Sequence, residues 1–538
     1  MRPPGFRGAF RSDERARASY SEGAGIYRIV PRAIAVPADV DALRVLLEWA
    51  ARGGHPLVPR GAGSAMGGGN VGHGVVVDLT SMAPIILEIC PDTRTACTSA
   101  GVTHGALSAA AARHGLRLPP DPSSSRWATL GGMLATNAAG ARSVRYGPVR
   151  PWVQETFAVT ADAEVARFAR GESNADTAAL ARFHQDAAPA ILAARDEVLR
   201  RFPRTAKNTA GYALDAWLAS GDDLDLLIGS EGTLALVTEI TWRLDPIPPA
   251  RCSILVEAAS LEALGELIGA LRAESPSALE LLDRTFLDVV RQDPPAGMTV
   301  PVAETVLLVE LEGTAAEVAS AASRIERAAG AAGGRVDVAS TAAQEESLWA
   351  LRHAASPILA RLPETRRSMQ LVEDGCVPLE RLGAYVRLLR DAAARRGIPI
   401  VLFGHAGDGH VHANLLPDVT VPGWERALAS LYEEVSAGVL ALGGTPAGEH
   451  GDGRLRAPLV ERLYGAEVAT LFRELKAAFD PLTILNPGVI LPARGDDPLR
   501  HLKVGADAAP IPDDIAAALR TIERTGGYAT PRLSLATP

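Results

Sequence analysis

Cysteine is scarce in this chain, and the four that occur, Cys90, Cys97, Cys252 and Cys376, form neither a C-x-x-C pair nor a ferredoxin-like run. That excludes an iron–sulfur centre held by this chain alone, and reduced, buried thiols are the expectation. No stretch reaches about 18 consecutive apolar residues, so no membrane-spanning helix is expected. The basic opening, with Arg2, Arg7, Arg11, Arg15 and Arg17, lacks the apolar core of a signal peptide. A cytoplasmic protein, at most peripheral to the inner membrane, follows as an expectation. Lysine and arginine never cluster with aromatics, and 63 acidic residues outnumber 54 basic ones, which argues against a nucleic acid partner. Repeats and low-complexity tracts are missing too, whereas a hydrophobic share of 47% is ample for a large core.

Length implies two or three domains, since 538 residues exceed one compact core. The first, residues 1–245, opens with a strand over Ile34–Val36, a helix over Asp39–Arg52, a strand over Pro56–Pro59 and another over Val75–Leu79. Helices follow over Ala106–His114 and Thr177–Arg201. Pro246, Pro248 and Pro249 mark a boundary. The second domain, 246–445, alternates strands over Ser253–Glu257, Val306–Glu310 and Met369–Glu373 with helices over Leu261–Arg272, Ala315–Ala332 and Leu379–Arg396. That pattern predicts an antiparallel sheet with helices on one face, and an α+β fold for the whole. Residues 446–490 are expected to return to the first domain, leaving 491–538 as a Pro- and Asp-rich tail with a helix over Ile515–Arg524.

Two constellations carry chemistry. In Arg60–Asn70 the glycines at 61, 63, 67, 68 and 69 let backbone amides crowd round a diphosphate. The segment neither opens a helix as G-x-G-x-x-G nor ends in Gly-Lys-Ser/Thr, which excludes both common nucleotide motifs; a plain tight loop has the same composition. The second constellation is Gly404–Asn414 with Gly448–Gly453. His410, His412 and Asn414 alternate as on one face of a strand, and four of the chain's 11 histidines fall in these two motifs. Two histidines with Glu449 suit a divalent metal, Zn, Mn, Fe or Co, although hydrogen-bonded structural histidines would read alike.

Arg60–Ser64, Pro119–Ser124 with Thr129–Met133 and Asn137–Gly147, Lys207–Tyr212, Gly229–Leu234 and Asn486–Ile490 occur in an order that resembles the PCMH-type FAD-binding domain of the vanillyl-alcohol oxidase superfamily. The resemblance spans about residues 35–490 and is closest to FAD-linked D-lactate and D-2-hydroxyglutarate dehydrogenases, particularly long bacterial forms whose iron–sulfur half has no counterpart here. It implies a two-subdomain FAD-binding domain plus a substrate (cap) domain. It also implies that Arg60, Gly61, Ala62, Gly63 and Ser64, together with Pro120, Asp121, Ser124, Thr129, Gly131, Gly132, Asn137, Gly140 and Ser143, hold the FAD diphosphate side. Glu231, Gly232, Val237 and Asn486 would lie along the rest. Ser64 stands where covalently flavinylated relatives carry histidine, so dissociable FAD is expected, and a side chain at Gly63 should exclude it.

By the same resemblance His405, His412 and Glu449 are metal ligands, His450 is the base, Asn414 is a polar neighbour of the substrate and Arg352 clamps its carboxylate. Asp374 is a weaker candidate. His410 departs from the family's usual Asn; it either competes as a ligand or replaces an amide hydrogen bond. Val372 replaces a lysine that in some relatives meets a second carboxylate, which argues against a dicarboxylate. The implied reaction oxidises a small D-2-hydroxy acid to the 2-keto acid, with electrons passing to an external quinone, cytochrome, flavoprotein or iron–sulfur protein. A homodimer is compatible with all of this. Two alternatives stay open: a metal-independent flavin oxidase of another alcohol, and the flavin subunit of a complex with a separate iron–sulfur protein.

Overall fold

A computed structural model describes every residue except 1, 83, 173, 174, 259, 263, 295–297, 494 and 538. The N-terminal half holds two main sheets and a two-stranded one that pairs Leu116–Arg117 with Asp245–Pro246. The first has four strands in the spatial order Gly8–Arg11, Ala33–Pro37, Val75–Asp78 and Leu57–Arg60, and only its Gly8–Arg11 edge is antiparallel. The helix Val40–Gly53 covers it. Asp39 caps that helix by accepting from the Ala42 amide, Gly54 ends it in the left-handed conformation, and Leu43, Leu46, Leu47 and Ala50 form its buried stripe against Leu57, Val75 and Val77. Each such leucine contributes roughly 1.5–3 kcal/mol by leaving water. The second sheet is a five-stranded antiparallel one, ordered Ile86–Cys90, Thr95–Ser99, Ala235–Arg243, Val153–Thr160, Val165–Ala169.

The second half is built on a seven-stranded antiparallel sheet, ordered Arg335–Val338, Ala250–Ala258, Thr305–Gly313, Ala278–Asp283, Ile400–His405, His410–Leu415, Gly375–Cys376. Ile254, Val256, Leu279 and Leu281 point to one face, where the helices Leu264–Arg272, Ala315–Ala331, Leu382–Ala394 and Trp424–Ala441 pack. Alternate residues Leu255, Leu282 and Val401 point to the other face, part of which the shorter helices Arg284–Gln292, Ala342–His353 and Ala355–Ala360 cover. The helical segment Val460–Phe479, broken at Gly465 (φ 81°), packs Tyr464 and Phe472 into the same core as Phe183 and Trp217 of the first half.

Four local features differ from expectation. Thr177–Arg201 is not one helix: a five-residue π-helical turn, Phe183–Ala187, interrupts it just before Pro189, whose missing amide cannot continue the α pattern, and it breaks again at Ala194. Met369–Glu373 forms only a bridge from Met369 to Leu415, and the strand lies further on at Gly375–Cys376. The strand Ala278–Asp283 and the helix after it, capped by Asp283, were not anticipated. The helix expected over Leu261–Arg272 runs from Leu264, and its residue 263 lies outside the described residues.

Candidate active site

The hairpin Ile400–His405 and His410–Leu415 sets the metal candidates side by side. Its register pairs His405 with His410 and Phe403 with His412, so all four rings share the face opposite Val411 and Ala413. The turn between the strands needs Gly409 at φ 70°, where a Cβ would lie 2.1 Å from the Val377 carbonyl oxygen. Glu449 arrives from the C-terminal segment. Its Oε1 lies 3.1 Å from His405 Nε2 and 3.3 Å from His412 Nε2, and these two nitrogens are 3.3 Å apart.

Outer partners fix each group. Glu280 accepts from His405 Nδ1 at 2.6 Å, and the Glu373 carbonyl from His412 Nδ1 at 3.1 Å. Lys207, buried, donates to Glu449 Oε2 at 2.7 Å and lies 3.3 Å from Asp408. Burial raises the Glu449 carboxyl, but Lys207 and His405 outweigh it and hold the group well below the usual carboxylate range. The Gly140 amide also donates to Glu449 Oε2, at 3.1 Å. This leaves Oε1 as the oxygen facing the imidazoles.

His450 stacks on His412 with ring centroids 5.2 Å apart, donates from Nδ1 to Glu373 Oε2 at 2.8 Å, and turns Nε2 to within 3.7 Å of Glu449 Oε1. A ring titrating near its ordinary value is not what this environment gives. Burial works to lower it, but Glu373 and Asp374 outweigh burial and push the imidazolium up to about 10. Arg456 steadies both carboxylates, 3.2 Å from Glu373 and 3.3 Å from Asp374. Arg352 donates from Nε to Glu280 Oε2 at 2.7 Å and lies over the Phe403 ring at 4.7 Å. Asn414 Oδ1 accepts from Ser368 and Gln370.

A cavity of about 1000 Å³ joins this cluster to the Gly-rich loop. Arg60, Gly61, Ala62, Gly63, Ser64, Asp121, Ser124, Thr129, Gly131, Gly132, Gly140, Glu231, Gly232 and Val237 line it, as do Arg352, His405, His412, Asn414, Glu449 and His450. Pro120, Asn137, Ser143 and Asn486 do not. They build the wall: Asn486 Nδ2 ties the Gly69 carbonyl to that of Glu231, Asn137 caps a helix at φ 49° and accepts from the Arg150 amide, and the Ser143 hydroxyl lies within hydrogen-bond distance of both Gly140 O and Asp408. Arg60 contributes backbone only, because its guanidinium is buried against the Glu22 carbonyl. The loop's closeness is what a diphosphate cradle requires: a Cβ at Gly61 would lie 2.3 Å from Thr129 Oγ1, and one at Gly131 2.7 Å from Ala100 Cβ. An elongated dinucleotide fits this donor-rich groove.

Residues 31–169 match the FAD binding domain family, and residues 247–490 the C-terminal domain of FAD-linked oxidases. The chain is 32% identical to the glycolate oxidase subunit GlcD of Bacillus subtilis over 86% of this chain and 89% of that one. A D-lactate dehydrogenase of Archaeoglobus fulgidus is 30% identical, over 86% and 93%. This chain belongs to the FAD-linked oxidoreductases of the D-lactate, D-2-hydroxyglutarate and glycolate oxidase family. Against the D-2-hydroxyglutarate dehydrogenase of Pantoea ananatis, 28% identical, this FAD-linked oxidoreductase spans about half the relative's length, 51%. Its fold is that of PCMH-type flavoproteins: a 4-ethylphenol oxidase from Gulosibacter chungangensis superposes at TM-score 0.66 over 90% of this chain and 95% of the other, at 16% identity, and p-cresol methylhydroxylase at 0.65 over 91% and 95%, also at 16%.

In this oxidoreductase the residues that sequence reasoning missed are the ones behind the ligands: Glu280, Lys207, Glu373 and Arg456. Glu280 had a signal, a carboxylate inside the otherwise apolar run 278–282. Lys207 belongs to the Lys207–Tyr212 marker, which carries no sign of its buried pairing with Glu449 and Asp408. No helix among the described residues is long and apolar enough to cross a membrane.

Proposed function

We propose that this chain oxidises a small D-2-hydroxy acid to the 2-keto acid, using dissociable FAD and a divalent metal, zinc or else manganese, iron or cobalt, held by His405, His412 and Glu449. The observation that carries the reading is the convergence of two imidazole nitrogens and one carboxylate oxygen at the wall of the same cavity that the FAD loops line. Bound FAD supplies the hydride acceptor, and a divalent ion supplies polarisation of the C2 hydroxyl. The chain's own groups do the rest. Arg352, fixed by Glu280, presents its guanidinium to the substrate carboxylate. His450 takes the hydroxyl proton at Nε2 while Glu373 keeps the Nδ1 proton in place. Glu373 and Asp374 favour its charged form, and positive charge at the neighbouring ligands would favour the neutral, basic one. Asn414 faces the cavity as a polar neighbour of the substrate.

Residues 1–245 then serve as the FAD-binding domain, 246–445 as the cap that carries the metal motif, and 446–490 as the return segment that brings Glu449 and His450. Electrons leave to an external acceptor in the cytoplasm or at the inner membrane surface. A second reading has support in the subunit names of two relatives: the chain works as the flavin subunit beside a separate electron-accepting partner. Turnover of the isolated chain with an artificial dye separates the two.

Metal analysis beside flavin-reduction rates, at matched FAD occupancy, tests the main reading. His405→Ala, His412→Ala and Glu449→Ala should lose metal and turnover but keep the FAD spectrum. His450→Ala should keep metal and be reduced roughly 10² to 10⁴-fold more slowly. Wild-type protein that is metal-free and fully active would overturn it in favour of a metal-independent alcohol oxidase.

A further inference from the structure

His410 is the one histidine of the cluster left without a task. It is fully buried, it does not line the cavity, and its Nε2 lies 2.9 Å from Asp374 Oδ1. A carboxylate only accepts, so that nitrogen carries the proton and, in the neutral ring, Nδ1 carries the lone pair. Nδ1 is buried with no hydrogen-bond partner, 4.0 Å from Glu449 Oε1. An acceptor thus faces an acceptor, an arrangement that costs about 1–3 kcal/mol unless something positive lies between them.

The same construction holds for its neighbours. His405 gives its Nδ1 proton to Glu280 and His412 its Nδ1 proton to the Glu373 carbonyl. All three rings therefore have an outer acceptor on one nitrogen and the other nitrogen turned towards Glu449 Oε1. Outer acceptors of this kind orient histidines for a metal and raise their basicity. The ligand atoms of His405, His410, His412 and Glu449 all lie within 4.8 Å of one another. His450 Nε2, at 3.7 Å, is nearer to Glu449 Oε1 than His410 Nδ1 is, but it opens onto the cavity, where water or substrate satisfies it. His410 Nδ1 has no such outlet.

We propose that His410 is a fourth protein ligand, through Nδ1, so that the metal site of this chain is three histidines and one glutamate. The proposal rests on the reading of His405, His412 and Glu449 as a metal site and extends it. A fourth ligand placed behind the ion, away from the cavity, leaves the cavity side for substrate and binds the ion more tightly than a three-ligand set.

Zinc K-edge X-ray absorption on the FAD- and zinc-loaded wild type counts the imidazoles directly, and His410→Asn removes the lone-pair nitrogen while keeping an amide donor for Asp374. Three imidazoles in the wild type and two in His410→Asn, with zinc affinity reduced at least about tenfold in chelator competition, are the expected results. Two imidazoles in the wild type, or three in both proteins, overturns the proposal and leaves the three-ligand reading standing. A wild type that takes up no zinc and no other divalent ion overturns both. The wild-type count stands even if the variant does not fold.

Discussion

Glu280 joins the two halves of the proposed chemistry, because one carboxylate oxygen holds the candidate ligand His405 and the other the candidate clamp Arg352. Glu280→Gln is the informative change, since glutamine has the shape of the protonated acid. Burial alone would raise this carboxyl, yet His405 and Arg352 hold it down at about 2 against an ordinary 4.5. A displacement of that size corresponds to roughly 3 kcal/mol favouring the carboxylate. The amide also turns a donor towards a donor at one of its two partners, and it leaves a buried guanidinium without a counter-charge. Urea unfolding of the metal-free protein at neutral pH should therefore show a loss of roughly 3 kcal/mol. Metal affinity should fall roughly 10 to 100-fold, as is typical when an outer partner of a ligand is removed. KM for the hydroxy acid should rise more than kcat falls. Stability within about 1 kcal/mol of wild type together with metal affinity within about twofold would refute the coupling.

Three further outcomes follow from the same geometry. Gly63→Asp should abolish FAD binding, because at φ 81° a Cβ lies 2.4 Å from the buried Arg60 guanidinium, so the obstruction is this side chain as well as any diphosphate; a folded variant with full flavin absorbance contradicts that. Acid precipitation should release all yellow colour from the protein, Ser64 standing where a flavin-linking histidine would be; colour in the pellet contradicts it. Glu523, which ties the tail helix to Lys503 and Arg367, is held at about 2 against 4.5, with burial opposing and Lys503 and Arg367 prevailing. A depressed carboxyl stabilises above its ordinary value and loses that contribution as pH falls to the folded one. The melting-temperature gap between wild type and Glu523→Gln should thus close between about pH 4.5 and about pH 2, and a constant gap across that window sinks the assignment.

What the sequence made legible was whatever depends on residue type at fixed spacing. His412 and Asn414 alternate on a strand, and the hairpin turns them to the cavity with His405. The Gly-rich loop reads from composition because no other residue permits its close approaches. Glu280 and Lys207 were not legible as site residues, because their roles depend on partners 125 and 242 positions away in the chain. Met369–Glu373 has an apolar pattern suited to a strand, but Glu373 is held by His450 and Arg456 instead of by a ladder. The wall residues Asn137, Ser143 and Asn486 belong to the loop motifs, yet hydrogen bonds to backbone and to Asp408 set them behind the cavity surface.

The charge balance at the centre has a further consequence. Glu280, Glu373, Asp374, Asp408 and Glu449 are buried there, and Arg352, Lys207 and Arg456 are the cations paired with them. Within this set the carboxylates outnumber the cations by two; Asp452 and Glu231, also buried beside Arg456, have their carboxyls raised by burial. Burying such a surplus is expensive, and buried ion pairs of this kind commonly stabilise no better than well-packed apolar residues would, so positioning accounts for them better than stability does. A divalent cation at the proposed site would offset that surplus. Without one, the His450 imidazolium, held charged by Glu373 and Asp374, offsets part of it. Because ligand nitrogens must be deprotonated to bind, an ion at the proposed site would also favour the neutral, basic form of His450.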